Sequence, residues 1–188
     1  MSLFEGQYVE VFAHDLATLA YFCREVDRPS GVAALPTMVA EGAPVLSPSL
    51  LLDTAREIAR ETLRLGPPPL DPTAKRARRY AITDLASALR DGRDRGTLIA
   101  AGGALYSDLA DFALRASGRW SASGKALPRA LEALDPALAM QFETAFAALF
   151  AEGVVAPVQA LVDTVLAPCG GRLRDGFRVA APTEWRSG

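Results

Sequence analysis

The sequence predicts a mainly α protein: an antiparallel helical bundle preceded by a small N-terminal α/β piece. Three observations predict it. Ser47-Pro48, Asp71-Pro72 and Asp135-Pro136 each set a capping side chain before a proline at a first helical position. There the side-chain oxygen accepts an orphan N–H and proline loses no needed donor. Apolar stripes at helical spacing follow these starts, with short connections between them. And just one segment near the N-terminus, residues 7–13, alternates as a strand does.

That segment, Gln7-Tyr8-Val9-Glu10-Val11-Phe12-Ala13, puts Tyr8, Glu10 and Phe12 on one face and Val9, Val11 and Ala13 on the other. One strand is not a sheet. Its unpaired backbone and apolar faces predict a two-fold homodimer, in which it pairs with its symmetry mate or lies on the partner's bundle. The alternative is pairing within the chain, around Arg178-Val179-Ala180-Ala181 or Ala43-Pro44-Val45. Asp15 then caps a helix to about Val26, with Leu16, Leu19, Ala20 and Cys23 on one stripe. Residues 29–42 read as a short helix weakened by Pro36.

From Ser47 onward the chain reads as helix after helix. The first runs to about Leu65 and stops at Gly66-Pro67-Pro68-Pro69. The next spans roughly Pro72 to Arg90 and ends at Gly92. A long helix from about Asp94 to Ser117 has Gly118 as its stop. A short one covers about residues 125–133. The helix from Pro136 to Glu152 carries Leu138, Phe142, Ala145, Phe146, Leu149 and Phe150 on one face. The helix after Gly153 carries Val155, Val158, Leu161, Val162, Val165 and Leu166. Gly102-Gly103 inside the long helix costs about 1 kcal/mol per glycine against alanine. Close helix–helix contact is the favoured explanation and a ligand site the alternative. From Gly170 the tail is irregular and polar.

Composition narrows the classes. Half of the 188 residues are hydrophobic, ample for a core, and the net charge is −2. That balance argues against a nonspecific nucleic-acid coat or a polybasic membrane anchor. No apolar run approaches the roughly 20 residues that span a bilayer. The start has neither a basic nor an apolar signal region, and a cytoplasmic location is expected. Cys23 and Cys169 are far apart, form no CxxC and are expected to be reduced thiols. With them and one histidine, His14, a four-ligand zinc site is not expected. There is no phosphate-binding G-x-x-x-x-G-K-[ST] loop and no G-x-G-x-x-G. Asp108 and Asp111 sit at solvated-face spacing. Two features stand out. Glu10 is an acid within an apolar strand, either an edge-strand solubility device or a metal ligand. Lys75-Arg76-Ala77-Arg78-Arg79 places cations where a helix dipole prefers acids. The cluster is either a solvated face or a site for an anion. Arg76 and Arg79, three apart, point to one side and could fork onto phosphate oxygens.

A resemblance adds to these readings. Glu5-Gly6-Gln7-Tyr8-Val9-Glu10-Val11-Phe12, then Asp15-Leu16-Ala17-Thr18-Leu19, then Met38-Val39-Ala40-Glu41-Gly42, resembles the second half of a kanamycin-nucleotidyltransferase-like catalytic domain. That family belongs to the DNA polymerase β-type nucleotidyltransferase superfamily. Arg79-Tyr80-Ala81-Ile82-Thr83-Asp84-Leu85, with Trp120, Gly124-Lys125 and Gly170-Gly171-Arg172-Leu173, is similar to the helical domains of such enzymes. The resemblance covers most of the chain. It implies that residues 1–45 are a remnant of the nucleotidyltransferase α/β domain. Residues 46–188 would be a helical substrate-binding or dimerisation domain.

The same resemblance implies that Glu10 is the third metal-binding carboxylate and Asp84 the acid nearest to a general base. The basic cluster, with Lys75, Arg76 and Arg79, is the expected site of any anion or nucleotide phosphate binding. The family signature is a Gly-Ser loop followed by Asp-x-Asp or Asp-x-Glu, and this sequence contains neither. Two-metal Mg²⁺ chemistry cannot run on one carboxylate. The expectation is therefore a C-terminal portion of a nucleotidyltransferase-like protein, inactive by itself and needing no cofactor. A complete enzyme would use Mg²⁺ to transfer a nucleoside monophosphate from a nucleoside triphosphate to a small hydroxyl acceptor. The alternative is a non-catalytic helical interaction module. Toxin ribonucleases of a related bundle place a histidine shortly after an arginine. His14 precedes the bundle, which argues against that activity. Neither a nucleic-acid nor a membrane partner is expected.

Overall fold

A computed structural model describes residues 2–4, 6–45, 49–92 and 94–178, and residues 2–4 by backbone alone. The chain forms two compact units, Met1–Pro68 and Pro69–Gly188, and is mainly helical. The sequence places a boundary near residue 45; in the structure the helix that follows packs with the first unit.

The first unit opens with a hairpin of β1 (Ser2–Phe4) and β2 (Gln7–Val9), antiparallel, pairing Ser2 with Val9, Leu3 with Tyr8 and Phe4 with Gln7. Gly6, at φ +81°, supplies the left-handed turn residue that so tight a reversal needs. This corrects the expected strand over residues 7–13. The strand stops at Val9, and its partner is the segment immediately before it. β1 is three residues long, so no ladder remains for Glu10 to Ala13. Among the described residues β2 pairs with β1 alone and not with Ala43 to Val45; the expected partner beyond Arg178 lies outside the described residues.

Asp15 caps α1 (Leu16–Tyr21) with a capping box: its carboxylate accepts from Thr18 N at 2.7 Å, and the Thr18 hydroxyl accepts from Asp15 N at 3.1 Å. The expected single helix to Val26 instead widens into a π-helical stretch, Phe22–Asp27, and ends as α2 (Arg28–Ser30). Pro29 brings no N–H to the ladder there. Gly31 then stops the helix at φ +80°. α3 (Ala34–Glu41) is shorter than the expected 29–42 helix. Pro36 falls in its first turn, where the N–H it lacks would have been an orphan. Asp27 caps that turn from a distance, its carboxylate accepting from Leu35 N at 2.8 Å. α4 (Leu50–Leu65) is capped by Ser49, which accepts from Leu52 N. That replaces Ser47, which with Pro48 lies outside the described residues. Leu19, Cys23, Ala33 and Ala59 are buried in this unit.

The second unit is the bundle. α5 (Pro72–Asp91) is capped by Asp71, α6 (Arg95–Ala116) by Asp94, and α8 (Pro136–Glu152) by Asp135. A 3₁₀ turn, Gly124–Ala126, leads into α7 (Leu127–Leu134). α9 (Ala156–Leu166) ends in a second 3₁₀ turn, Ala167–Cys169. Gly118 and Gly153 close α6 and α8 in the left-handed region, with Arg119 N donating to Leu114 O and Val154 N to Ala148 O. α5 packs on α6 and α9, and α8 packs on α6, α7 and α9. The core runs from Ile82 to Leu166, built of Leu105, Leu109, Phe112, Phe142, Leu149 and Val162 among others. Tyr106 meets Phe142 and Phe146 edge-on at 5.7 and 5.0 Å.

Gly102 lies where the sequence favoured close contact. A Cβ there would sit 2.8 Å from Leu149 Cδ2 and 3.0 Å from Phe150 Cε1. Gly103 has open space around it, so that explanation holds for one glycine of the pair.

Candidate anion-binding site

One face of α5 gathers two arginines and a run of hydroxyl-bearing side chains. Residues three or four apart on a helix are neighbours, so Arg76, Arg79, Tyr80, Thr83 and Ser87 form one long stripe on α5. Against it lies residues 170–178, a strap that leaves α9 and doubles back along the helix. Arg79 forks onto the strap: Nε donates to Gly171 O at 2.8 Å and Nη2 to Gly170 O at 2.6 Å. Arg76 Nη2 donates to Gly176 O at 3.1 Å. Leu173 N donates to Thr83 Oγ1 at 3.1 Å, and Arg174 Nη2 to Ser87 Oγ at 2.8 Å. The Phe177 ring stacks on Tyr80, 4.3 Å between centroids and 14° from parallel. The strap is tied to α9 through Arg172, which donates to Asp163 Oδ1 at 2.6 Å and to Gln159 O at 3.0 Å.

Strap geometry explains two glycines. Gly170 sits at φ +95°, and a Cβ on it would lie 3.3 Å from Arg79 Nη2. Gly171 follows at φ +69°. A side chain at either position would meet the backbone strain that glycine avoids.

The sequence singles out Lys75, Arg76 and Arg79. The structure puts all three on the first turns of α5, with Arg76 and Arg79 aimed at the same strap and Lys75 half-buried on the same turn. Arg78 points elsewhere and pairs with Asp111 of α6, so Asp111 is a structural ion-pair partner rather than part of a solvated face. Arg115 is buried nearby, and that burial, with the Arg78 charge, holds its guanidinium below the ordinary value.

Asp84 is exposed and lines a small pocket of about 250 Å³ with Tyr80, Thr83, Ser87, Leu173 and Arg174. It therefore borders the strap. Glu10 belongs to the first unit and is exposed just beyond β2. Among the described residues no group of three or more His, Cys, Asp or Glu could hold a metal ion. Glu10 belongs to no such group among the described residues. His14 packs edge-on against Phe22 at 5.2 Å, and its Nδ1 has no hydrogen-bond partner among the described residues. Cys23 and Cys169 are free. Burial, with Asp27 nearby, pushes the Cys23 thiol up.

A second feature is apolar. Tyr106, Leu131, Met140, Phe146 and Phe150 line an open groove of about 660 Å³ across α6, α7 and α8, with Glu132 and Glu143 in its wall. Met140 is 69% exposed there. Burial, reinforced by the Glu143 charge, pushes the Tyr106 phenol up.

Sequence reasoning missed the strap. Gly170-Gly171 marked an irregular segment, but nothing in the local pattern assigned its carbonyls to arginines about ninety residues away. No helix among the described residues is long and apolar enough to cross a membrane. Comparison with known proteins finds no matching family model, no matching curated protein and no matching solved structure.

Proposed function

We propose that this chain is the C-terminal portion of a nucleotidyltransferase-like protein whose bundle binds phosphate groups of a nucleotide and which by itself transfers nothing. The observation that carries the binding half is the Arg76–Arg79 face. Two guanidiniums share one side of α5 and donate to neutral carbonyls. Guanidinium forks match phosphate edges, and a carbonyl dipole leaves their charge uncompensated. The sequence resemblance and a helical bundle following a small N-terminal β element support the family reading. A complete enzyme would use Mg²⁺ and pass a nucleoside monophosphate to a small hydroxyl acceptor. The missing Gly-Ser and Asp-x-Asp motifs support inactivity of this chain, and Asp84, which lines a pocket with Leu173 and Arg174 of the strap, is retained as the candidate general base.

Incubating the chain with Mg²⁺, a labelled nucleoside triphosphate and a panel of aminoglycosides and other hydroxyl acceptors should give no adduct. Metal-dependent turnover that disappears in Glu10→Gln would overturn the inactive half. Calorimetry at low salt should show weak, salt-sensitive nucleotide binding that is lost in the Arg76→Ala/Arg79→Ala double variant.

A second reading, a non-catalytic interaction module, is favoured by exposed apolar surface. Tyr8, Val11 and Phe12 are 78%, 77% and 60% exposed, and the α6–α8 groove is open. Under this reading the chain is a homodimer joined through its N-terminal residues. Light scattering should give twice the chain mass, reverting to one chain in Tyr8→Ser/Phe12→Ser. A monomeric parent removes the homodimer.

A further inference from the structure

The strap over α5 has the properties of a cover. We propose that residues 170–178 gate the anion site: the strap's backbone carbonyls occupy the guanidiniums that a phosphate group would use, so strap closure and phosphate binding compete. The inference rests on the phosphate-binding reading of Arg76 and Arg79 and adds its regulation.

Four observations carry it. First, Arg79 offers Nε and Nη2 together, the edge of the guanidinium that matches two oxygens of a phosphate, and both donors are taken by Gly171 O and Gly170 O. Second, the charge is unanswered. Arg78, Arg90 and Arg172 each have a carboxylate within ion-pair distance, and among the described residues Arg76 and Arg79 do not. A neutral oxygen in those positions is outcompeted by an anionic one whenever the anion can reach them. Third, the strap is held from the surface. Its residues are exposed or half-buried, and it contributes none of the buried core. Its release therefore exposes little apolar area and leaves the bundle intact. Fourth, it has a hinge. Gly170 and Gly171, both at positive φ directly after α9 and its 3₁₀ turn, can swing to other backbone conformations without the steric cost of a side chain.

Competition has a measurable consequence. A site whose open form is a minor fraction binds with an affinity reduced by that fraction. Loosening the strap without touching the arginines must therefore tighten anion binding. Gly171→Val does this by straining the φ +69° turn at a position where an added Cβ meets nothing within 4 Å. Phe177→Ala does it by removing the stack on Tyr80. The probe is inorganic tripolyphosphate at low salt, read by calorimetry, with hydrogen exchange followed at the Leu173 amide, which is bonded to Thr83 Oγ1 in the closed strap. The parent should bind weakly, and saturation should accelerate Leu173 exchange. Both variants should bind roughly tenfold tighter, as expected if the strap is closed about nine-tenths of the time. Arg76→Ala/Arg79→Ala should abolish binding and free the Leu173 amide without any probe. Equal affinity in parent and variants, or a Leu173 amide still protected at saturation, would sink the gate while leaving the phosphate site standing. Absence of binding in the parent and in both loosened variants would sink the phosphate site and the gate with it. Helical circular dichroism accompanies each variant; Phe177→Ala, a surface truncation, keeps the test decisive if Gly171→Val fails to fold.

Discussion

The two units bury their apolar side chains to very different degrees. In the second, phenylalanines and leucines of α5 to α9 interlock in one continuous cluster, and Phe112, Phe142, Leu105 and Leu109 are all but inaccessible. In the first, the buried residues are mostly small, while Tyr8, Val11, Phe12, Tyr21 and Leu50 stay exposed. Hydrophobic stabilisation scales with apolar area removed from water, about 25 cal/mol per Å². The bundle thus supplies its own stability, whereas the first unit depends on caps, local hydrogen bonds and a few contacts. Close packing also leaves the bundle little freedom. What can move in it is what sits outside the core, and the strap is the clearest instance.

Several measurements can break or sharpen that contrast. The largest effect should come from Phe142→Ala, which opens a cavity beside Tyr106 and Phe146 and should cost about 3–5 kcal/mol in denaturant unfolding. Leu19→Ala in the first unit should cost less, roughly 2–3 kcal/mol, because its thinner surroundings collapse more easily. Equal or reversed losses would remove the distinction between the units.

Next in size is a pair of opposite signs. Gly102→Ala pushes a methyl to within 2.8 Å of Leu149 and should destabilise by about 1–3 kcal/mol. Gly103→Ala, with open space around it, should stabilise by up to about 1 kcal/mol through helix propensity. Two changes of like sign would contradict the packing of α6 on α8. Asp71→Ala should cost about 1 kcal/mol by uncapping α5, whose Ala74 N it accepts at 2.8 Å.

The smallest effects are in pH, and they also divide the units. Hydrogen bonds from Thr18 and Thr97 hold the Asp15 and Asp94 carboxyls below their ordinary range. A depressed folded value means stability that is present above the unfolded value of about 3.9 and lost as pH falls through the folded one. Both units should therefore weaken in acid. Cys23 is the reverse. Its thiol is pushed up by burial, so the unfolded chain loses that proton first. Its contribution is complete below the unfolded value of about 8.5 and declines as pH rises toward the folded one. Alkaline destabilisation that Cys23→Ala removes would locate this effect in the first unit. A pH profile unchanged by that substitution would refute it.

The sequence determined most of the bundle by itself. Asp71-Pro72 and Asp135-Pro136 started helices at those residues, Gly118 and Gly153 ended them, and the stripe of Phe142, Ala145, Phe146 and Leu149 became core. Caps and periodicity are local, so they are written within a few residues and survive any tertiary arrangement. It also marked Arg76 and Arg79 as a directed pair, because helix geometry alone puts them on one side. Tertiary structure decided what that pair touches. The carbonyls of Gly170 and Gly171 reach Arg79 because α9 packs on α5 and the chain turns back after it. Tertiary structure likewise separated Gly102 from Gly103, since one faces α8 and its neighbour does not. The hairpin partner of β2 escaped the sequence pattern for another reason: a three-residue strand is too short to show alternation, and its pairing shows only as backbone register. Periodicity is a property of one element, whereas a carbonyl accepting from a distant guanidinium belongs to two elements and to the packing that brings them together.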